Sequence, residues 1–144
     1  MHAAARGENI TVIFINNAVY GMTKGQMAPT TLPGQKTTTT PYGRNTSYHG
    51  FPIKVCELLS TLDAPAYIER TAIENVPEII KTKRAIKKAF KYQIENKGFS
   101  LIEVLSPCPT NWKMNPSEAL KWVGNVMKKY FPIGVYRDKF KEGN

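Results

Sequence analysis

Six consecutive β-branched, aliphatic or aromatic residues, Ile10-Thr11-Val12-Ile13-Phe14-Ile15, constrain this chain more than any other stretch. A strand with one wet face alternates apolar and polar residues, whereas a strand of a parallel sheet covered on both faces runs apolar without a break. The run therefore predicts a central strand of an α/β sheet. It stops at Asn16-Asn17, and from there to Gly50 the chain is rich in Gly, Pro and Thr and shows no apolar periodicity. Connections of this length inside one domain are rare and usually functional.

Downstream the period changes to that of helices. Val55, Leu58, Leu59 and Leu62 fall at i, i+3, i+4 and i+7 behind Pro52, which suits a first turn. Ala66 to Arg70 reads as a short strand. Asn75 with Glu78 begins a helix running to about Asn96, and Gly98 stops it. On that helix Ile79, Ile86, Phe90 and Ile94 project in one sector, and Lys81, Arg84, Lys88 and Lys91 in the opposite one. Phe99 to Leu105 is a third strand. Asn115-Pro116-Ser117-Glu118 then opens a last helix carrying Leu120, Val123, Met127 and Tyr130, which ends near Phe131-Pro132. The uncapped Ala3-Ala4-Ala5-Arg6 reads as the last turn of a helix. This order predicts an α/β fold, a three-stranded parallel sheet flanked by helices, with the loops after the first and third strands on one rim. Open α/β sheets bind ligands at that rim.

Length and composition narrow the function. A chain of 144 residues is the size of one domain. No apolar run approaches the roughly 18 residues of a membrane span, and the amino terminus has no export signal, so no membrane partner and a cytoplasmic location are expected. A formal charge of +9 favours phosphate-bearing or acidic partners. The basic helix sector reads either as a solvated face or as a partner or nucleic-acid surface. Its lysines are not interleaved with aromatic side chains as a stacking platform needs, so no nucleic-acid partner is expected. Cys56 and Cys108 are too few and too far apart for a zinc knuckle or a disulfide framework. Cys56 sits beside Val55, Leu58 and Leu59, where a small buried hydrophobe fits.

The segment Asn16 to Gln26 leaves the first strand with amide oxygens and then offers Gly21, Thr23 and Gly25. Hard cations take oxygen ligands, part from protein and part from phosphate and water. Neither Asn carries charge, so a carboxylate is expected elsewhere, and no Asp precedes Asp63. By spacing alone, such a loop at a strand end is more often just a turn.

The run from Asn9 through Asn16-Asn17-Ala18-Val19-Tyr20-Gly21-Met22-Thr23-Lys24-Gly25-Gln26 to Thr31, continued by Thr39-Thr40-Pro41-Tyr42-Gly43, closely resembles the β subunit of 2-oxoacid:ferredoxin oxidoreductases. Lys97 to Trp112, with Ser106-Pro107-Cys108-Pro109, and the Gly134-Val135-Tyr136 tail resemble the same subunit, nearest the 2-oxoisovalerate or 2-oxoglutarate branch. The resemblance implies a partial thiamine diphosphate-binding fold, with residues 1–144 as the carboxy-terminal part of the domain, lacking its amino-terminal segment. It implies oxidative decarboxylation of a 2-oxoacid with CoA, giving acyl-CoA, CO2 and reduced ferredoxin. The implied partners are an α subunit, γ and δ subunits in larger complexes, and ferredoxin.

By the same resemblance, Asn17 gives its side-chain oxygen and Val19 its backbone carbonyl to Mg2+. Gly21 and Thr23 contact thiamine diphosphate, and Met22 faces the reacting carbon, where an apolar side chain suits a branched or longer acyl group. Cys108 stands as one of four thiolate ligands of a [4Fe-4S] cluster. Lys24 either pairs with a substrate carboxylate or is solvated. The family's Gly-Asp-Gly-Asp motif and three further cysteines are expected ahead of His2, so this stretch by itself is expected to be inactive. A non-redox thiamine diphosphate decarboxylase or synthase is the alternative enzyme, and a basic nucleic-acid-binding module the alternative of another class.

Overall fold

A computed structural model describes residues 1–141. Its centre is Ser100–Leu105 (β3), buried at every residue. The sheet order is β1-β3-β2-β4, with β1 Thr11–Asn16, β2 Tyr67–Ala72 and β4 Gly134–Asp138. Both β1 and β2 pair with β3 in parallel: Thr11 and Tyr67 flank Ser100, and Asn16 and Ala72 flank Leu105. The expected parallel sheet flanked by helices is present, with two differences.

The Ile10–Ile15 run is an edge strand within the described residues. After β2 the chain crosses back and inserts β3 between the two earlier strands, which leaves Ile10 and Ile15 40% and 54% exposed. The sheet also has a fourth strand. β4 pairs antiparallel with β2, Tyr67 opposite Asp138 and Arg70 opposite Gly134, with a register shift between Ile68 and Glu69. Five residues behind Pro132 and a positive-φ Gly134 are too short to announce a strand by alternation.

His2–Arg6 (α1), closed by Gly7 in the left-handed region, and Val55–Ser60 (α3) cover one face. There Ala4, Cys56 and Leu59 pack on Ile68, Phe99 and Leu101. The helix α3 starts three residues after Pro52, and Leu58 points outward, 41% exposed. Val76–Ile94 (α4) covers the other face through Ala85, Ala89 and Tyr92 against Tyr67, Ile102 and Val104. The buried sector of α4 is therefore not the one its large residues suggest. Ile79, Phe90 and Ile94 are exposed, while only Ile86 of that set packs against the core. Close approach of a helix to a sheet favours the small Ala85 and Ala89, and the tight fit excludes the bulkier row. Lys88, at the margin of this buried sector, is bonded to Asp138 and lies over the rings of Tyr67 and Tyr92.

Asn75 caps α4 through Glu78 N, as its sequence position predicts. Asn115 and Glu118 form a complete capping box on Pro116–Trp122 (α6). A π-helical turn, Val123–Met127, continues into Lys128–Tyr130 (α7). Val123, Met127 and Phe131 from this segment close the carboxyl end of the sheet over Ala18, Ala72 and Leu105. Two short helices escaped the periodicity: Thr46–His49 (α2) inside the long connection and Pro109–Trp112 (α5) after β3. Among the described residues, no helix is long and apolar enough to cross a membrane.

Candidate functional site

The long connection is not structureless. Arg44, buried within it, donates to the carbonyls of Ala28, Pro29, Thr31, His49 and Gly50 at 2.7 to 3.4 Å. One planar guanidinium thereby supplies the donors that a β-ladder would otherwise provide. Thr31 Oγ1 donates to the Ala18 carbonyl at 2.7 Å and accepts from Ala28 N at 2.8 Å, fastening the connection to the end of β1.

Ala18 is fully buried with φ of 56°, unusual for a residue bearing a Cβ. It turns the chain so that Asn17 and Val19 flank one sharp corner. The Asn17 side-chain oxygen accepts from Val19 N at 3.3 Å, which leaves it a second lone pair. The Asn17 carbonyl accepts from Trp112 Nε1 at 3.1 Å. Val19 is buried, and its carbonyl accepts no hydrogen bond among the described residues. A divalent cation takes such neutral oxygens when phosphate supplies the charge.

Gly21–Thr23 is one turn of 3-10 helix. A Cβ on Gly21 would stand 3.3 Å from Asn17 Nδ2 and 3.7 Å from Cys108 Sγ, so the loop after β1 and the loop after β3 touch at this glycine. Gly25 is required on two counts: its φ is +79°, and a Cβ would lie 2.9 Å from Asn111 Oδ1. Thr23 Oγ1 bonds the Tyr20 carbonyl and Gln26 Oε1. Met22 is fully exposed and Lys24 is exposed beside it.

Cys108 is half-buried and accepts from Asn111 Nδ2 at 3.2 Å; the same nitrogen donates to the Gly21 carbonyl at 3.2 Å. The folded chain thus gathers Asn17, Gly21 and Cys108 on one rim, keeps Val19 and Thr23 close to them in the chain, and leaves Met22 fully exposed. Among the described residues, no group of three or more His, Cys, Asp or Glu could hold a metal, so the donors here fit only part of a cation shell and one thiolate of a cluster. Cys56 stands apart. It is fully buried between Glu103 and Arg70, and burial pushes its thiol far up, which makes it inert.

Beside the rim a cavity of about 300 Å3 opens along β1, lined by Phe14, Ile15, Asn17, Val19, Pro29 and Ile53. Beneath the rim lies a buried charge network. Asn16 Nδ2 donates to Glu103 Oε1 at 2.7 Å, and Arg70 Nε to Glu103 Oε2 at 2.9 Å. Arg70 also reaches both Glu57 oxygens, the Pro132 carbonyl and the Tyr136 hydroxyl, and it stacks by Phe131 and Tyr136. Burial raises the Tyr136 hydroxyl to about 12.

Sequence reasoning missed Asn16, Arg44, Thr31 and Asn111 as organisers of the site. Arg70 and Glu103 face each other in register on neighbouring strands. Charged residues inside short, largely buried strands were the available signal, since such groups are rarely buried unless paired.

The family profile "Thiamine pyrophosphate enzyme, C-terminal TPP binding domain" matches residues 1–104. Ketoisovalerate oxidoreductase subunit VorA of Methanothermobacter thermautotrophicus is 47% identical over 142 residues, which cover 99% of this chain and 30% of that protein. 2-Oxoglutarate synthase subunit KorB of Archaeoglobus fulgidus is 36% identical over 121 residues, covering 84% of this chain and 41% of KorB. The chain thus spans less than half the length of these relatives. The fold resembles that of a 2-oxoglutarate:ferredoxin oxidoreductase from Magnetococcus marinus, solved with 2-oxoglutarate, coenzyme A and succinyl-CoA bound, with a TM-score of 0.65 at 22% identity over 98% of this chain and 51% of that one. The match over residues 1–104 shows that this chain belongs to the thiamine pyrophosphate enzymes, through their C-terminal TPP-binding domain.

Proposed function

We propose that this chain is the diphosphate-binding part of a 2-oxoacid:ferredoxin oxidoreductase β subunit, the carboxy-terminal part of a domain completed by further polypeptide. The observation that carries the reading is the meeting of Asn17, Gly21 and Cys108, which places an oxygen-donor corner, a backbone bare enough for a phosphate and a thiol within one rim.

Each residue then has a defined task. Asn17 and the Val19 carbonyl would hold Mg2+, which would supply positive charge for the diphosphate, with a carboxylate outside this stretch completing its ligands. Gly21 would let the backbone approach the phosphates, since a side chain there would crowd the Asn17 amide, 3.3 Å from its Cβ. Thr23 is anchored by Tyr20 and Gln26 and keeps the turn in shape for contact with thiamine diphosphate. Met22, exposed at the tip, faces the reacting carbon of a 2-oxoacid with a branched or longer chain, such as 2-oxoisovalerate or 2-oxoglutarate. Cys108 supplies one thiolate to a [4Fe-4S] cluster, the other three coming from outside. The chemistry that the bound groups contribute is a nucleophilic carbon and electron sink from thiamine diphosphate, one-electron steps from the cluster, and acyl acceptance by CoA. The partners are an α subunit, γ and δ subunits in larger assemblies, and ferredoxin, in the cytoplasm.

The test is to produce the chain with its completing polypeptide and α partner, load it with thiamine diphosphate, Mg2+ and iron–sulfur cluster, and follow 2-oxoacid- and CoA-dependent reduction of ferredoxin or a viologen dye. Reduction with a branched 2-oxoacid or 2-oxoglutarate is the expected result, and an inactive loaded complex overturns the reading. Iron and sulfide analysis separates it from a non-redox decarboxylase or synthase, which has no use for a cluster thiolate at Cys108.

A further inference from the structure

The helix α4 buries its small residues and turns its large ones outward, and the outward row is regular. Val76, Ile80, Lys83, Lys87, Phe90 and Ile94 follow one another at alternating steps of four and three residues, and all six are exposed. That spacing repeats every seven residues and is the seam that a helix presents to another helix in a coiled coil. Its two ends, Val76 and Ile94, stand 67% and 82% exposed, where a helix that meets only water on this side would carry polar residues. The seam is apolar at both ends and cationic at its centre. Among the described residues the side chains of Lys83, Lys87 and the neighbouring Arg84 form no ion pair or hydrogen bond, while Lys81 is engaged by Glu78 and Lys91 by Glu95.

The place of the lysines decides what can cover the seam. A helix lying on a membrane sinks an apolar stripe and keeps its cations on the polar face, whereas Lys83 and Lys87 sit within the stripe itself. A second copy of this chain would set these lysines against one another at the middle of the paired helices, and like charges placed face to face exclude that pairing. The pair α1 and α3, the sheet and α4 already make three layers, as many as one domain builds, so a helix lying over α4 forms a fourth and comes from another subunit.

We propose that the outer seam of α4 is a docking site for a helix of the α subunit, one with apolar residues at both ends and carboxylates opposite Lys83 and Lys87. The inference rests on the functional reading above for the identity of that subunit. The apolar layers, at ends about 27 Å apart along the helix, supply buried area. The charge pairs between them fix the register and reject partners without carboxylates there. Arg84 and Lys91 lie on one flank of the seam, where a coiled coil carries the charges that set partner choice and orientation.

The experiment joins lysine to carboxylate with a carbodiimide in the complete complex and maps the new amides by mass spectrometry. Lys83 and Lys87 are expected to couple to Asp or Glu of one α-subunit helix. Lys83→Arg with Lys87→Arg keeps the charge and is expected to assemble as wild type does, without those cross-links. Reversal of both charges, Lys83→Glu with Lys87→Glu, touches none of the packing on the sheet and is expected to weaken α-subunit binding on the order of a hundredfold. An active complex in which neither lysine couples to the α subunit, or in which both couple to a second copy of this chain, overturns the inference and leaves the functional reading standing. So does sedimentation of the wild-type complex with phosphatidylserine vesicles that the charge reversal abolishes. A complex that shows the expected cross-links but reduces neither ferredoxin nor dye overturns the functional reading alone. A completed wild-type chain that forms no complex with the α subunit overturns both.

Discussion

Asn16 Nδ2 donates to Glu103 Oε1 at 2.7 Å, and Asn16 Oδ1 accepts from Ala18 N at 3.0 Å, so one fully buried side chain ties the last residue of β1 to the central strand and to the strained corner beyond it. Asn16→Leu keeps the volume and removes both bonds, leaving a buried amide and a carboxylate oxygen unpaired. Stability is expected to fall by roughly 1–3 kcal/mol, read from urea unfolding of variant and wild type in the same assembled protein.

Arg70 is expected to be the most sensitive position in the fold. Its side chain is completely buried between Glu103 and Glu57. Arg70→Met fills the space but strands the Glu103 charge, and a loss of about 3–5 kcal/mol follows. Replacing both partners, Arg70→Met with Glu103→Leu, is expected to recover part of that loss, and a double variant less stable than the single one would contradict this account.

Acid sensitivity should trace in part to Glu57. Burial opposes its charge, but the Arg70 hydrogen bonds and charge outweigh this and hold the carboxyl below its ordinary 4.5. With the folded value depressed, the unfolded chain takes up the proton first. The Glu57 contribution is therefore complete above about pH 4.5 and is lost as pH falls through the lower folded value. Thermal midpoints measured downward from pH 6 (an ordinary buffer range, about 1.5 units above that value) should decline less steeply in Glu57→Gln than in wild type.

Gly25→Ala forces a Cβ into a left-handed residue and within 2.9 Å of Asn111 Oδ1. The backbone term alone costs roughly 1–2 kcal/mol. The larger expected effect is local: displacement of Asn111 and the Gly21 turn, seen as weaker thiamine diphosphate binding by calorimetry in the assembled protein with its circular dichroism preserved.

Met22 is the residue expected to shape substrate choice. Met22→Asn should lower kcat/KM for a branched 2-oxoacid relative to pyruvate by on the order of tenfold or more, the usual worth of a methylene-scale contact. An unchanged ratio would remove Met22 from the acyl site.

Much of the fold was legible in residue order. The capping asparagines, Asn75 and Asn115, act within one turn of chain, so local spacing suffices to find them. The two loops that meet at Gly21 could be assigned to one rim because parallel strands all end on the same side. The buried sector of α4 was not legible. Ile79, Phe90 and Ile94 outrank Ala85 and Ala89 in hydrophobicity, and only the distance between helix and sheet decides which row fits. The place of the first strand was equally hidden, because an unbroken apolar run reports cover on both faces and says nothing of which neighbours lie in the plane of the sheet.

The sequence by itself determined the class of the fold, because periodicity, capping and glycine placement are properties of neighbours in the chain. Tertiary structure decided what those residues can do together. Asn111 reaching Gly21, and Arg70 joining α3, β3 and β4, are contacts between residues 13 to 90 positions apart. Such partners are chosen by sheet order and by the need to pair every buried polar group, and neither is written in any local stretch of the chain.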